Sequence, residues 1–276
     1  MTTLPAPLRS NLHAHSTFDD GSLTPQEMVR AAIKARFDVI GISGHVYMGH
    51  PTEWCMTPVG TFQFMEEMAR LKDKYADCIA VYCGIEQDVL APLPEGTFDY
   101  IIGACHAVEK EGALVYADAS AEGLKEGVTR FFGGDYYAFV RAYYESVATI
   151  GRTFTPDFVA HFDLVTKYNG EGLFFDEEDP RYRAAALDAL AAVMERVQVF
   201  EINTGGMYRV GRKVPYPAPF ILREIRARGG EILLTSDSHD AASMGYRYDD
   251  TAELARSVGF RYAKVLTPKG FVSAPL

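Results

Sequence analysis

The chain has 276 residues, of which 48% are hydrophobic and 23% are charged, a composition typical of a globular protein with a sizeable core. Its 37 acidic residues outnumber its 27 basic residues, and the formal net charge of −10 argues against a general nucleic-acid-binding protein. A small phosphorylated ligand remains compatible with this acidity, because bound metal ions supply local positive charge. We therefore expect a small-molecule ligand and no nucleic-acid partner.

No stretch of the sequence approaches the roughly 18 apolar residues that a membrane span requires, and the N-terminus lacks the apolar segment of a signal peptide. The cysteines show no CxxC spacing, which favours reduced thiols in a cytoplasm. They are Cys55, Cys78, Cys83 and Cys105. We expect a cytoplasmic protein without membrane contact, and the sequence does not predict its oligomeric state.

Short apolar runs alternate with helical patterns along the chain. In order, the predicted strands are Arg9–His13, Phe37–Ser43, Ile79–Glu86, Tyr100–Cys105, Phe158–His161, Gln198–Asn203 and Glu231–Ser236. The predicted helices are Pro25–Arg36, Phe62–Tyr75, Tyr136–Ile150, Pro180–Arg196 and Pro219–Arg228. The first helix is the best defined, because Thr24 and Glu27 form a capping box around Pro25.

Strands that alternate with helices indicate βα units in a parallel sheet, and their number favours closure into a barrel. We expect one α/β domain over residues 1–276, with an insertion at about residues 108–134. That stretch is rich in Gly, Glu and Asp, and we expect it to cover one face of the barrel.

Titratable residues stand at or just after the end of every predicted strand except the sixth, and six of the seven histidines are among them. His13 and His15 end the first strand, and Asp237 and His239 follow the last. A spacing of two residues on a strand places both side chains on one side, where they can chelate a metal ion. The residues at or just after the ends of the intervening strands are His45, Glu86, His106 and His161.

In a βα barrel, the carboxyl ends of all strands meet on one face, so these residues are expected to converge there. Asp20, in the first loop, can join them. The candidate metal ligands are therefore His13, His15, Asp20, His45, Glu86, His106, His161, Asp237 and His239. One ion takes about three or four protein ligands, so nine predict two or three divalent ions, with Zn, Fe or Mn all suitable.

The order of these residues resembles that of the PHP (polymerase and histidinol phosphatase) superfamily, over about residues 9–267. Within it, the sequence is most similar to the monofunctional histidinol-phosphatases. The segments that carry the resemblance include NLHAHSTFDDG, EWCMTP, GIEQD, DYIIGACHAV, VAHFDLVTKY, EINTGG and TSDSHDAASMG. The resemblance implies a distorted seven-stranded barrel with a trinuclear metal centre.

The resemblance also implies how the ligands divide among three ions. The implied sets are His13, His15, Glu86 and Asp237; Glu86, His106 and His161; and Asp20, His45 and His239. The chain departs from the family pattern in three places. Some members carry a histidine where this chain has Asp20, and Gly205-Gly206 replaces the usual Ser-Gly or Ala-Gly. The basic residues expected just beyond are Arg209 and Arg212.

The implied activity is metal-dependent hydrolysis of L-histidinol phosphate to L-histidinol and phosphate, a step of histidine biosynthesis. The nucleophile is expected to be a hydroxide bridging two ions, with Glu86, Asp237 and His239 as catalytic residues. The expected phosphate contacts are Lys167 and Arg209. Asp163 either orients His161 or touches the substrate, and the sequence leaves both roles open.

Three other interpretations are left open. The first is a phosphoesterase of the same superfamily that acts on another small phosphate ester or a nucleotide. The second is an amidohydrolase, whose barrel also begins with HxH but commonly uses a carboxylated lysine after a middle strand. The third is a non-catalytic binding module, which all nine intact ligand positions disfavour.

Overall fold

In the computed structural model, which describes residues 8–276, strands and helices alternate along the chain. The first half contains β1 (Ser10–Asn11), α1 (Pro25–Lys34), β2 (Val39–Ile42), α2 (Pro58–Lys74), β3 (Ala80–Asp88), β4 (Tyr100–Ala104), β5 (Ala107–Lys110), β6 (Ala113–Tyr116), α3 (Ala121–Phe132) and α4 (Tyr136–Val147). The second half contains β7 (Phe158–Val159), α5 (Pro180–Met194), β8 (Val199–Asn203), α6 (Gly205–Arg209), α7 (Pro219–Ala227), β9 (Glu231–Thr235), α8 (Tyr248–Val258), β10 (Tyr262–Thr267) and β11 (Gly270–Pro275).

Seven strands form one sheet in the order β1-β2-β3-β4-β7-β8-β9, and all neighbours in it run parallel. A parallel bridge between Ala14 and Ser238 joins the chain after β1 to the chain after β9. There the amide of His15 donates to the Ser238 carbonyl at 2.8 Å. The sheet is therefore a nearly closed barrel, which confirms the predicted α/β fold of seven strands.

The barrel is distorted because β1 and β7 have only two residues each, fewer than predicted. Their continuations leave the strand ladder, since side chains take up the backbone donors. The amide of His161 donates to the Glu201 carboxylate at 2.7 Å. The amide of His13 lies 3.4 Å from the Asn11 side-chain oxygen.

All five predicted helices are present, and the capping box of Thr24 and Glu27 is confirmed at the start of α1. The predicted start of the second helix at Phe62 is wrong: α2 begins at Pro58, with Thr57 as its N-cap. The predicted elements did not include α3, α6, α8 or the hairpins β5–β6 and β10–β11. Within residues 8–276, no helix has the length and apolar character needed to cross a membrane.

The amino end of the barrel is filled by apolar side chains and covered by the antiparallel hairpin β10–β11. Ile102, Phe158 and Leu233 from the strands and Leu12 just after β1 form one cluster with Leu266 of the hairpin. Tyr100 crosses this interior and donates to the Leu12 carbonyl at 2.6 Å. These contacts leave the carboxyl end as the open end of the barrel.

Alternation along the strands determines which side chains enter the barrel. On β3, Tyr82 belongs to the apolar interior cluster, and Glu86 lies on the same face four residues later. Between them, Gly84 leaves room for the Tyr100 ring, which a Cβ atom would meet at 2.2 Å. A single strand thus contributes to the apolar interior at one end and to the candidate site at the other.

Candidate metal centre and cleft

The nine candidate ligands converge at the carboxyl end of the barrel, around an open cleft of about 420 Å³. Their donor atoms form four overlapping groups, each with all its atoms within 4.8 Å of one another. The groups are His15, Asp20, His45 and His239; His13, Glu86 and His161; His13, His15 and Asp237; and His45, Glu86 and His106. The convergence expected from the strand ends is therefore present in the structure.

Glu86 lies at the centre of this cluster, with its side chain fully buried. Its Oε1 atom is 2.9 Å from His161 Nε2 and 3.4 Å from His106 Nε2. Its Oε2 atom is 2.8 Å from His45 Nδ1 and 3.3 Å from His13 Nε2. The two oxygens thus face different histidines, so this carboxylate would contribute an oxygen to more than one of the ligand groups.

The other two carboxylates lie nearer the cleft. Asp237 Oδ1 is 3.2 Å from His15 Nε2 and 3.6 Å from His13 Nε2. Asp20 Oδ1 is 3.0 Å from His239 Nε2. Asp237 has a φ of 47°, a left-handed conformation that is strained for a residue with a side chain. Such strain is concentrated at functional sites, where the surrounding structure maintains it.

The electrostatics of the cluster are those of opposite charges held together out of water. Burial alone would lower the pKa of His13 and His106, but neighbouring carboxylates hold both pKa values well above the ordinary value. Burial opposes ionisation of Glu86 and Asp237, yet the surrounding histidines keep the pKa of both carboxyls well below the usual range. The carboxylates are therefore charged at neutral pH and available as ligands.

The donor atoms present fit divalent metal ions. Within residues 8–276, several buried site atoms have neighbours only at angles unsuited to a hydrogen bond, among them His13 Nε2, His15 Nε2, Glu86 Oε2 and Asp20 Oδ1. Unpartnered buried polar atoms are costly, and here they converge on shared points from several strands. Imidazole nitrogens and carboxylate oxygens are the donors that Zn, Fe and Mn accept.

Behind the candidate ligands lies a second layer of carboxylates that the sequence analysis missed. Three histidines are hydrogen-bonded through Nδ1 and direct Nε2 toward the centre. The pairs are His13 with Glu201 at 2.9 Å, His15 with Asp19 at 2.6 Å and His106 with Asp88 at 2.9 Å. Such carboxylates orient the imidazole and raise its basicity as a ligand.

The sequence carried a signal for two of these carboxylates. Glu201 interrupts the apolar strand β8 between Phe200 and Ile202, which both pack in the helix-facing core. Alternation therefore directs Glu201 into the barrel, where a buried charge needs partners. Asp88 carries a similar signal, because it lies two residues after Glu86 on β3 and therefore on the same face. Asp19 lies in a turn and shows no such pattern.

The predicted substrate residues lie in different surroundings. Lys167 and Arg209 line the cleft. Lys167 Nζ donates to the Asp118 carbonyl at 3.1 Å, and Arg209 Nη1 lies 2.9 Å from His239 Nε2. Asp163 is fully buried outside the cleft lining, where it accepts from the Ala218 amide at 2.9 Å. Burial raises the pKa of Asp163 to about 6.

The cleft lining also contains residues that were not predicted as site residues, and four of them come from two segments of the chain. Glu53 and Trp54 come from the loop before α2, and Tyr116 and Asp118 come from the predicted insertion. The Trp54 ring lies nearly perpendicular to the rings of His45 and Tyr116, with centroids 5.0 Å and 5.8 Å away. This part of the cleft combines aromatic surface with negative charge.

Comparison with known proteins places this geometry in a broader context. The PHP domain model matches residues 11–205. A Deinococcus radiodurans protein named "Probable histidinol-phosphatase" is 28% identical, over 86% of this chain and 88% of its own length. The Bacillus subtilis histidinol-phosphatase is 22% identical, over 86% of this chain and 96% of its own length.

Among solved structures, the histidinol phosphate phosphatase of Lactococcus lactis superposes with a TM-score of 0.71. The match covers 96% of this chain and 98% of that one, at 18% sequence identity. That crystal structure contains zinc, L-histidinol and phosphate. The likeness shows that the two chains share a fold.

Proposed function

The chain belongs to the PHP family, and on this premise we propose that it is a metal-dependent phosphomonoesterase that hydrolyses L-histidinol phosphate to L-histidinol and phosphate. The observation that carries the proposal is the convergence of nine nitrogen and oxygen ligands on one cleft around Glu86. The named relatives support the choice of substrate.

We assign two or three divalent ions to the overlapping ligand groups. When bound, they supply Lewis-acid chemistry: they neutralise charge on phosphoryl oxygens and make water a better nucleophile near neutral pH. Glu86 holds the groups together because its oxygens face different histidines. Asp237 and His239 have side chains that are 13% exposed, so both reach the cleft where a substrate would lie.

The positively charged side chains of the cleft are suited to the phosphate group. Arg209 presents a planar fork of donors at the mouth, and its side chain is 38% exposed. Lys167 is more deeply placed, with a side chain only 9% exposed, and Asp118 holds its ammonium group by a 3.3 Å ion pair. We propose that these two residues bind phosphoryl oxygens. Asp163 is assigned no substrate contact, because its carboxylate faces the chain at Ala218.

The other part of the cleft is suited to the leaving group. L-histidinol carries an imidazole ring and an ammonium group, which an aromatic wall and negative charge would bind. Trp54 and Tyr116 supply the wall, and Glu53 and Asp118 supply the charge. A phosphate ester whose leaving group carries no positive charge would lack the interaction with Glu53 and Asp118.

We test the proposal by measuring phosphate release from L-histidinol phosphate beside a panel of sugar phosphates, nucleotides and phenyl phosphate. The protein is stripped of metal and reconstituted separately with Mn, Zn and Fe, with a chelator control. We expect a strong preference for L-histidinol phosphate that the chelator abolishes. Metal-dependent turnover of another ester instead would support the metal site but show that L-histidinol phosphate is not the substrate. No turnover of any ester would overturn the proposal.

The variant Glu53→Gln tests the leaving-group assignment. Glu53 is exposed, so its ion pair with the substrate is worth at most about 1 kcal/mol. We expect KM for L-histidinol phosphate to rise by up to about fivefold, with KM for phenyl phosphate unchanged. Glu95→Gln, outside the cleft lining, is the matched control. An equal rise in KM for both esters would contradict the assignment.

We also propose a cytoplasmic location. All four cysteines are free in the structure, which is the state expected in a reducing compartment.

A further inference from the structure

Glu201, on β8, is the most heavily hydrogen-bonded carboxylate behind the candidate metal centre. Its side chain is fully buried. Oε2 accepts from His13 Nδ1 at 2.9 Å and from the Thr235 hydroxyl at 2.8 Å. Oε1 accepts from the His161 amide and from Asn203 Nδ2, both at 2.7 Å. Four donors on two oxygens leave this carboxylate a single orientation.

The contact with His13 determines which ring nitrogen is free to bind a metal. With Nδ1–H committed to Glu201, the lone pair of a neutral His13 ring lies on Nε2. That atom is 3.3 Å from Glu86 Oε2 and 3.6 Å from Asp237 Oδ1, and it has no hydrogen-bond partner within residues 8–276. Glu201 therefore selects the tautomer in which His13 faces the centre.

The contact with His161 acts on a second ligand through the backbone. The His161 amide would otherwise have to find its partner in the strand ladder, but it donates to Glu201. This contact sets where β7 ends and directs the His161 ring toward Glu86 Oε1, at 2.9 Å. His13 and His161 belong to one ligand group, together with Glu86. One carboxylate thus positions two of the three members of that group.

We propose that Glu201 is a positioning residue for the ion held by His13, Glu86 and His161, and that it controls the affinity of this site by fixing both histidines at once. The inference rests on the proposed metal-dependent function. Glu201 does not reach the cleft and is not a catalytic residue. Asp88 differs from it, because both its contacts with a ligand are made to His106 alone.

The variant Glu201→Gln tests this inference with little change in volume. An amide offers one acceptor oxygen and one donor NH₂ group, so either the His13 and Thr235 donors or the His161 and Asn203 donors lose their acceptor. We expect the Zn affinity of the folded variant, measured by competition with a chromogenic chelator, to fall by about 10- to 100-fold. We expect phosphate release at limiting Zn to fall with it and to recover as Zn is raised.

The controls separate positioning from stability. Asp157→Asn removes a carboxylate that also accepts from a backbone amide, that of Ile101 at 2.8 Å, but at the amino end of the barrel. We expect its Zn affinity to equal that of the wild type. Circular dichroism and a urea titration establish that each variant is folded when its metal content is measured.

A milder variant keeps the test decisive if Glu201→Gln does not fold. Thr235→Val removes one donor to Oε2 and leaves Glu201 and His13 in place. We expect its Zn affinity to fall by about 2- to 10-fold, the range of one hydrogen bond. The inference is wrong if the wild-type protein binds Zn and every folded variant at Glu201 and Thr235 binds Zn with the same affinity. A wild-type protein that binds no metal would overturn the proposed function as well.

Discussion

The two ends of the barrel bury their side chains by opposite means. At the amino end, Leu12, Phe158 and Leu233 pack against the hairpin β10–β11, and the hydroxyl of Tyr100 has a carbonyl partner. At the carboxyl end, five histidines surround Glu86 in the same kind of interior position. One end is stabilised by removal of apolar surface from water, and the other places charged and polar groups where they lack water.

The carboxyl end of the barrel requires partners for its buried charges. Charged groups there are compensated by opposite charges and by a layer of carboxylates tied to backbone amides. Asp19, for example, accepts from the amides of Ser16 and His45 as well as from His15. The amino end needs no such layer, because apolar side chains have no charge to compensate and no hydrogen-bonding groups that need partners. We infer that, within the barrel interior, the amino end contributes to stability and the carboxyl end to chemistry.

The largest effect is expected from Glu86→Gln, at the centre of the carboxyl end. The substitution removes the negative charge that five histidines face and the bridge between ligand groups. Since bound ions contribute several kcal/mol to such a reaction, phosphate release should fall by at least about 10³-fold. The measurement is turnover of L-histidinol phosphate together with metal content by elemental analysis. Activity within tenfold of the wild type would show that Glu86 is not the centre of the site.

The next effect tests the amino end. Leu266, on β10, is 5% exposed and packs in the barrel interior. Leu266→Ala should lower the free energy of unfolding by about 2–5 kcal/mol, since it removes buried methyl groups and leaves a cavity. A urea titration measures this loss. The metal content per folded molecule should stay at the wild-type value, and a parallel loss of metal would mean that the two ends are not separable.

The smallest effect is expected from Asp88→Asn, which changes a carboxylate behind a candidate ligand and leaves the ligand itself in place. Asp88 accepts from the ring and the amide of His106, both at 2.9 Å, and has no contact with the cleft. Asp88→Asn should weaken metal binding by about 10- to 100-fold through His106. Chelator competition measures the affinity, with Asp157→Asn as the control. An unchanged affinity would assign Asp88 to the support of the loop at Leu90 instead.

Much of the candidate site was predictable because its signals are local. The pairs His13–His15 and Asp237–His239 show the two-residue spacing of a strand, and each lies next to an apolar run. The capping box at Thr24 is likewise a pattern of four residues, and it is present. Parallel strands then bring their carboxyl ends together whatever the intervening sequence, so the convergence of ligands followed from the fold class.

The short antiparallel elements were not predictable in the same way. Within residues 8–276, β10 and β11 pair only with each other. Their apolar residues are buried only because the hairpin covers the amino end of the barrel. The predicted insertion carried no motif, yet Tyr116 and Asp118 in that stretch line the cleft. Whether these two residues reach the cleft depends on where the hairpin β5–β6 lies over the barrel, and local sequence periodicity does not predict that position.

The sequence by itself determined which residue types stand at the strand ends, because the spacing of neighbours along a strand decides which side they face. Only the tertiary structure decided which carboxylate lies behind which histidine. Glu201 and His13 are 188 residues apart, and their 2.9 Å contact follows from strand order, register and the closure of the barrel. Partners across a closed sheet are set by packing of the whole chain, whereas the direction of a side chain is set by its own strand.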